Sequence, residues 1–241
     1  METKQSLVKL YNGDLSSDII SKVADSMVVV ISSPVRKTDS SSQDVIFVDK
    51  NNKPLGNKGA GFFVSCDGYI ITAEHVVEGA SYAGIIMKNN PNNLIEAEIV
   101  AVNPQFDIAI LKIDVIASPV KIGNYTSLRV GRKISFIGYP LNDTIQLQVV
   151  PISNQGVISS IYALPRKSEG NVAPTFMIDA SVNPGNSGGP VFFADTGEVV
   201  GVVSQKFSNH EGIGIITALD PKLFMAENKT FYDFITNKKC N

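Results

Sequence analysis

From Gly59 to Leu219 the chain is a succession of short apolar, β-branched runs, each closed by turn residues. The series reads GAGFFVSCDGYIITAEHVV, GIIMK, EAEIVAVN, IAILKID, VKIG, RKISFIGYP, QLQVVPISNQGVISSIYA, TFMIDAS, GPVFFAD, EVVGVVSQ and GIGIITAL. Many short strands with regular turn punctuation restrict the fold to β-barrels or a sandwich. The Cys-Asp-Gly step within the first run predicts a tight hairpin. Helix is expected only near the ends. Ser16 or Ser17 can cap a short helix with Asp18 near its positive end, and Ile19, Ile20, Val23 and Met27 have helical spacing. A strand is predicted from Met27 through Ile31, where the run becomes β-branched. Near the other end, Leu223, Phe224, Phe231, Phe234 and Ile235 predict a terminal helix covering a barrel. Residues 36–58 read as a long surface loop in which VIFVD forms one hairpin arm, and 117–131 as a crossover between two barrels.

Composition narrows the partners. The formal net charge is -2, with 44% hydrophobic and 18% charged residues. No basic field exists to hold a phosphate backbone, so nucleic acid is not an expected partner. No apolar run is long enough to span a bilayer. The polar, mixed-charge start METKQSLVKLYNGD lacks the pattern of a secretory signal, and this reading favours a cytoplasmic location. Cys66 and Cys240 are read as free thiols in a reducing compartment. The histidines and cysteines lack metal-ligand spacing, so neither a metal nor a cofactor is expected. The sequons starting at Asn124, Asn142 and Asn228 read as chance matches.

Three short segments carry chemistry. NPGNSGGP, Asn183 to Pro190, is a glycine-rich bend that can expose one hydroxyl, and its consecutive N–H groups can form an anion-attracting nest. Ser187 is the candidate nucleophile. The N–H groups of Gly185 and Ser187 are the candidate oxyanion hole, with Asn186 between them setting the bend. A hydroxyl needs a base to act near neutral pH. His75, after the apolar strand YIITA, is the candidate, while His210 in SNHEG reads as a solvated loop residue. Asp107 interrupts the apolar run FDIAILKI. A carboxylate pressed among apolar side chains needs a partner. It is either the group that orients the imidazole or a cap on the turn after Asn103-Pro104. The order His, Asp, Ser is that of the chymotrypsin type.

GAGFFVSCDGYIITAEHVV, FDIAILKI, IDASVNPGNSGGPVF and GEVVGVVS resemble the protease domain of the HtrA/Deg group of trypsin-like serine proteases. The resemblance covers roughly residues 16–219 and ends too early to include the PDZ domain that many members carry. It implies an all-β fold of two six-stranded antiparallel barrels with the active site in the cleft between them. The resulting division is an N-terminal segment 1–26, a first barrel 27–118, a second barrel 119–222 and a tail 223–241. It further implies a serine endopeptidase acting on unfolded or extended protein substrates, with His75, Asp107 and Ser187 as the triad. Ser181 is then expected near the base of the primary pocket, and Ile213 and Ile215 as its walls. Val203, Ser204 and Gln205 are expected to pair with the substrate backbone, with Lys206 near the cleft. Small to medium apolar residues are expected before the scissile bond. A homo-oligomer, a trimer by the resemblance, could use Leu10 and Tyr11. The competing readings are a processing protease of narrow specificity, a non-catalytic peptide-binding module and an esterase.

Overall fold

The computed structural model describes residues 15–38, 45–48, 57–140, 149–165, 172–206 and 212–219. The helix expected in the C-terminal tail, His210, Leu10 and Tyr11 lie outside these residues. Helix α1 (Leu15–Ala24) is followed by strands β1 (Met27–Ser33), β2 (Val35–Thr38), β3 (Val45–Val48), β4 (Asn57–Phe63) and β5 (Tyr69–Thr72). A one-turn helix, α2 (Glu74–Val77), precedes β6 (Tyr82–Met87), β7 (Asn90–Asn103) and β8 (Ile108–Lys112). Then come β9 (Lys133–Gly138), β10 (Ile152–Pro165), β11 (Val172–Ile178), β12 (Pro190–Phe193), β13 (Val199–Lys206) and β14 (Gly214–Ala218).

These strands close into two six-stranded antiparallel barrels, in the orders β1-β4-β5-β8-β7-β6 and β10-β11-β14-β13-β12-β9. β2 and β3 form a separate two-stranded sheet, Val35 opposite Val48, so the VIFVD run is a hairpin arm as its sequence predicts. Between β8 and β9, the N–H of Val120 bonds to Phe63 O at 2.9 Å and that of Gly123 to Val199 O at 2.7 Å. The crossover is thereby tied to both barrels.

The strands read as continuous apolar runs because both of their faces are covered. Along β1, Met27 and Val29 join one buried cluster while Val28 and Val30 join another. Along β8, Ile108 and Ile110 separate from Ala109 and Leu111 in the same way. β12 repeats this in the second barrel: Phe192 leaves Val191 and Phe193. Two of the clusters belong to one barrel each. The third is shared, bringing Phe62, Ile71 and Ile108 together with Ile137, Phe192 and Val202. This seam fixes one barrel against the other, and α1 covers it through Ile19, Ile20 and Val23. Asp18 in the first turn and Lys22 in the last complement the helix dipole.

Cys66, at the β4–β5 turn, is disulfide-bonded, and no described cysteine is free. This corrects the expectation of free thiols. The chain's other cysteine is Cys240. A disulfide needs only geometry and an oxidising environment, neither of which a count of two cysteines reveals.

Candidate active site

His75 sits on α2, directly after β5. Both flanks of that turn are held: Thr72 Oγ1 donates to Ala60 O at 2.8 Å, and Ser32 Oγ donates to Val76 O at 2.5 Å. These bonds tie the end of β5 to β4 and α2 to β1, so the imidazole projects from a rigid base. Asp107 lies at the entrance to β8 and is 3% exposed. Its φ of 53° is the single positive value at a described non-glycine residue. Aspartate tolerates this left-handed region better than most side chains. Asn103, not Asp107, caps the preceding turn: its Oδ1 accepts from the N–H groups of Gln105 and Phe106 at 3.1 and 3.2 Å.

The Asp107 carboxylate is therefore available to the histidine. His75 Nδ1 lies 3.0 Å from both Oδ1 and Oδ2, and the His75 backbone N–H donates to Oδ1 at 3.0 Å. Ser204 Oγ donates to Oδ2. A carboxylate on Nδ1 selects the tautomer that carries its proton there. Nε2 is then an acceptor. The burial cost of Asp107 is offset by several donors aimed at one group.

Ser187 is carried by the bend between β11 and β12. Its backbone is clamped from both barrels: Ala60 N–H donates to Ser187 O at 2.8 Å, and the next N–H, of Gly188, donates to Val203 O at 2.8 Å. Gly185, at φ 92°, and Gly188, at φ 84°, adopt the left-handed turn conformations that glycine accepts without strain. A Cβ on Gly188 would overlap Ala60 O and Thr72 Oγ1. Gly188→Ala is therefore expected to destabilise the protein by about 3 kcal/mol or more, lowering Tm by roughly 10 °C. A calorimetric Tm within about 2 °C of wild type would contradict the clamp.

Among the described residues, no group accepts from the N–H of Gly185 or of Ser187, whereas that of Asn186 donates to Asn183 O at 3.0 Å. Asn186 thus uses its donor within the turn itself. Its fully buried side chain packs against Gly138. The remaining two donors are that of Ser187 itself and that of Gly185, two residues before it, and an oxyanion needs donors of this kind beside the nucleophile.

His75 and Ser187 line one pocket of about 370 Å³, together with Asn57, Lys58, Val76, Val182, Asn183, Pro184 and Gly185. Several residues expected in the substrate subsite are placed elsewhere. Val203 is fully buried, its N–H donates to Gly189 O at 2.9 Å and its carbonyl accepts from Gly188, so it has no backbone group left for a substrate. Ser204 is 1% exposed and its hydroxyl serves Asp107. Ile215 is 7% exposed and lies opposite Met177 in the barrel wall. Ser181 is exposed, Ile213 half-buried, and neither lines this pocket. Gln205 lies in β13 beyond the irregularity that follows Val203, opposite Ile215. Asp179 accepts the Val157 N–H at 2.6 Å, which holds its carboxylate on β10. The sequence reading missed Ser204 as the partner of Asp107. A hydroxyl at the end of the apolar run EVVGVVS was the available signal, since a buried hydroxyl needs a partner.

The family model described as a trypsin-like peptidase domain matches residues 59–202. A probable periplasmic serine endoprotease, DegP-like, of Pseudomonas fulva is 38% identical over 155 residues, 64% of this chain and 30% of that protein. A putative serine protease HhoB of Synechocystis is 34% identical over 171 residues, 70% of this chain and 39% of that protein. The match thus spans only 30% to 39% of the length of these curated relatives. Among solved structures, the HtrA-type protease AlgW with tripeptide superposes with a TM-score of 0.67 at 23% identity, covering 92% of this chain and 64% of that one. The Rv3671c protease from M. tuberculosis, in its active form, gives 0.65 at 22% identity, covering 85% and 80%. At these identities the structural likeness concerns the fold. The relatives' names overturn the cytoplasmic expectation, since several are periplasmic endoproteases. The polarity of the first fourteen residues does not report the compartment.

Proposed function

Because the chain belongs to the trypsin-like peptidase domain family, we propose that it is a serine endopeptidase in which Ser187 is the nucleophile, His75 the general base and Asp107 the orienting carboxylate. The observation that carries this reading is the Asp107–His75 pair, with both carboxylate oxygens 3.0 Å from Nδ1, facing a pocket that also holds Ser187. Ser187 Oγ attacks the peptide carbonyl carbon as His75 Nε2 takes its proton. The developing oxyanion is received by the N–H groups of Gly185 and Ser187. His75 then protonates the leaving amine, and water hydrolyses the acyl-enzyme by the reverse route.

No acidic residue lines the pocket among the described residues, which disfavours a basic side chain before the scissile bond. Val182 at the pocket wall supports a small or medium apolar one. With the backbone of Val203 consumed, substrate pairing with β13 starts at Ser204, and only an extended chain can lie along that edge. The DegP-like relatives are named as periplasmic, and the Cys66 disulfide suits an oxidising compartment; we assign the protein there.

A fluorophosphonate probe tests the reaction class. Wild type is expected to be labelled and Ser187→Ala not; absence of labelling in a folded wild type, with and without unfolded protein present, would sink the proposal.

A second prediction concerns pH. Burial holds the Glu74 carboxyl above its usual range of 4.5, with Glu78 and Asp107 adding to the rise and His75 opposing it. That opposition is mutual: a carboxylate at 74 stabilises the imidazolium at 75. Glu74→Gln is therefore expected to shift the acidic limb of kcat/KM to lower pH by about half a unit. The stability effect has its own sign. The contribution of Glu74 is present below pH 4.5 and lost as pH rises through the raised value. The variant should thus gain Tm at neutral pH. A limb that stays or moves upward contradicts the coupling.

A further inference from the structure

Resting on the peptidase reading, we propose that Lys58 makes the leaving-group side of the cleft select an acidic substrate residue within the first three positions after the scissile bond. Lys58 lines the same pocket as His75 and Ser187. Two residues further along β4, the Ala60 N–H holds Ser187 O at 2.8 Å, so this strand is fixed to the nucleophile loop. The direction of the substrate follows from that clamp. Ser187 and Gly188 lie between β4, through Ala60, and β13, through Val203. The substrate segment before the scissile bond runs along the outgoing end of β13, from Ser204. The segment after it must leave on the opposite flank, past Asn57 and Lys58 at the start of β4.

The charge distribution at that exit is one-sided. The described lining consists of Asn57, Lys58, His75, Val76, Val182, Asn183, Pro184, Gly185 and Ser187, so Lys58 is its one permanently charged side chain. Lys58 is exposed, and no described carboxylate lies within ion-pair distance of it. A cation on a flexible stem at the rim of a cleft acts over several ångströms, is screened by salt, and contributes discrimination rather than chemistry. Lys206, the basic residue expected near the cleft from the sequence, lies on β13, which flanks the other end.

The test uses quenched-fluorescence peptides with one fixed sequence before the cleaved bond and Asp, Asn or Lys placed in turn at each of the three following positions. At low ionic strength, wild type is expected to prefer Asp over Lys by about tenfold in kcat/KM at one of these positions, with Asn between. The preference should collapse toward unity in about 1 M salt, where the Debye length is near 3 Å. Lys58→Glu should invert the Asp-to-Lys ratio, and Lys58→Gln should bring it near one. Each ratio is taken within one enzyme preparation, so a variant with less active enzyme still reports. If wild type cleaves these peptides but the ratio is unchanged in Lys58→Glu, the assignment of Lys58 is overturned and the peptidase reading stands. If no peptide or unfolded protein is cleaved and the serine probe does not react, the peptidase reading itself has failed.

Discussion

Ser187→Ala is expected to lower turnover on a cleavable peptide by about a millionfold while leaving a folded protein that still binds peptide. The scale comes from removal of the nucleophile in enzymes of this mechanism, where residual rate arises only from the oxyanion donors and binding. The geometry explains why the loss should be confined to chemistry. The structural duties of residue 187 are carried by its backbone, whose carbonyl accepts the Ala60 N–H at 2.8 Å. Removing Oγ touches none of these bonds, and the neighbouring glycines that shape the bend remain. Stability should therefore change by about 1 kcal/mol or less, a Tm shift of roughly 3 °C. Steady-state hydrolysis, isothermal titration with an uncleaved peptide and calorimetry measure the three quantities. A variant retaining more than about a tenth of wild-type turnover would exclude Ser187 as nucleophile.

The barrels were legible because turn punctuation and β-branched runs are local signals, and the runs lie on strands with little displacement, except VKIG, which stays in the crossover with a single bridge from Ile122 to Val199. What the runs concealed was which face each residue takes. β13 illustrates the difficulty: Val202 goes to the shared seam, while Val203 goes to the core of the second barrel and spends its backbone on Gly188 and Gly189. A sequence assigns an apolar residue to the interior without saying which interior, so Val203 was placed at the substrate. The second duty of Ser204, its hydroxyl on Asp107, was hidden for a related reason. Its partner, Asp107, lies 97 residues away, across the seam between the barrels. Only closure of both barrels makes that pair, and no local pattern encodes it. The candidate nucleophile and imidazole were easier to find, because glycine density around Ser187 and the scarcity of histidine both stand out against the background.

The largest effect expected outside the nucleophile belongs to Asp107→Asn, a substitution that changes neither size nor shape. Nδ1 of His75 is 3.0 Å from each carboxylate oxygen, while Oδ1 also takes the His75 backbone N–H and Oδ2 the Ser204 hydroxyl. An asparagine must turn its NH2 toward one of these partners. Directed at the Oδ1 position, it meets two N–H donors. Directed at the Oδ2 position, the Ser204 hydroxyl can rotate to accept, but the NH2 still faces Nδ1. Donor against donor is relieved when the imidazole shifts its proton to Nε2, leaving Nδ1 as acceptor. Nε2 then has no lone pair for the Ser187 proton. The loss should be about 10⁴-fold in turnover, with little change in KM and an intact fold. Fluorophosphonate labelling should slow in parallel, because it uses the same activated hydroxyl. Ser204→Ala, which removes one donor from the carboxylate but leaves it ionised on Nδ1, should cost far less. Equal losses in the two variants would show that Asp107 acts through the Ser204 contact rather than through the histidine tautomer, and a loss under about tenfold in Asp107→Asn would remove it from the mechanism.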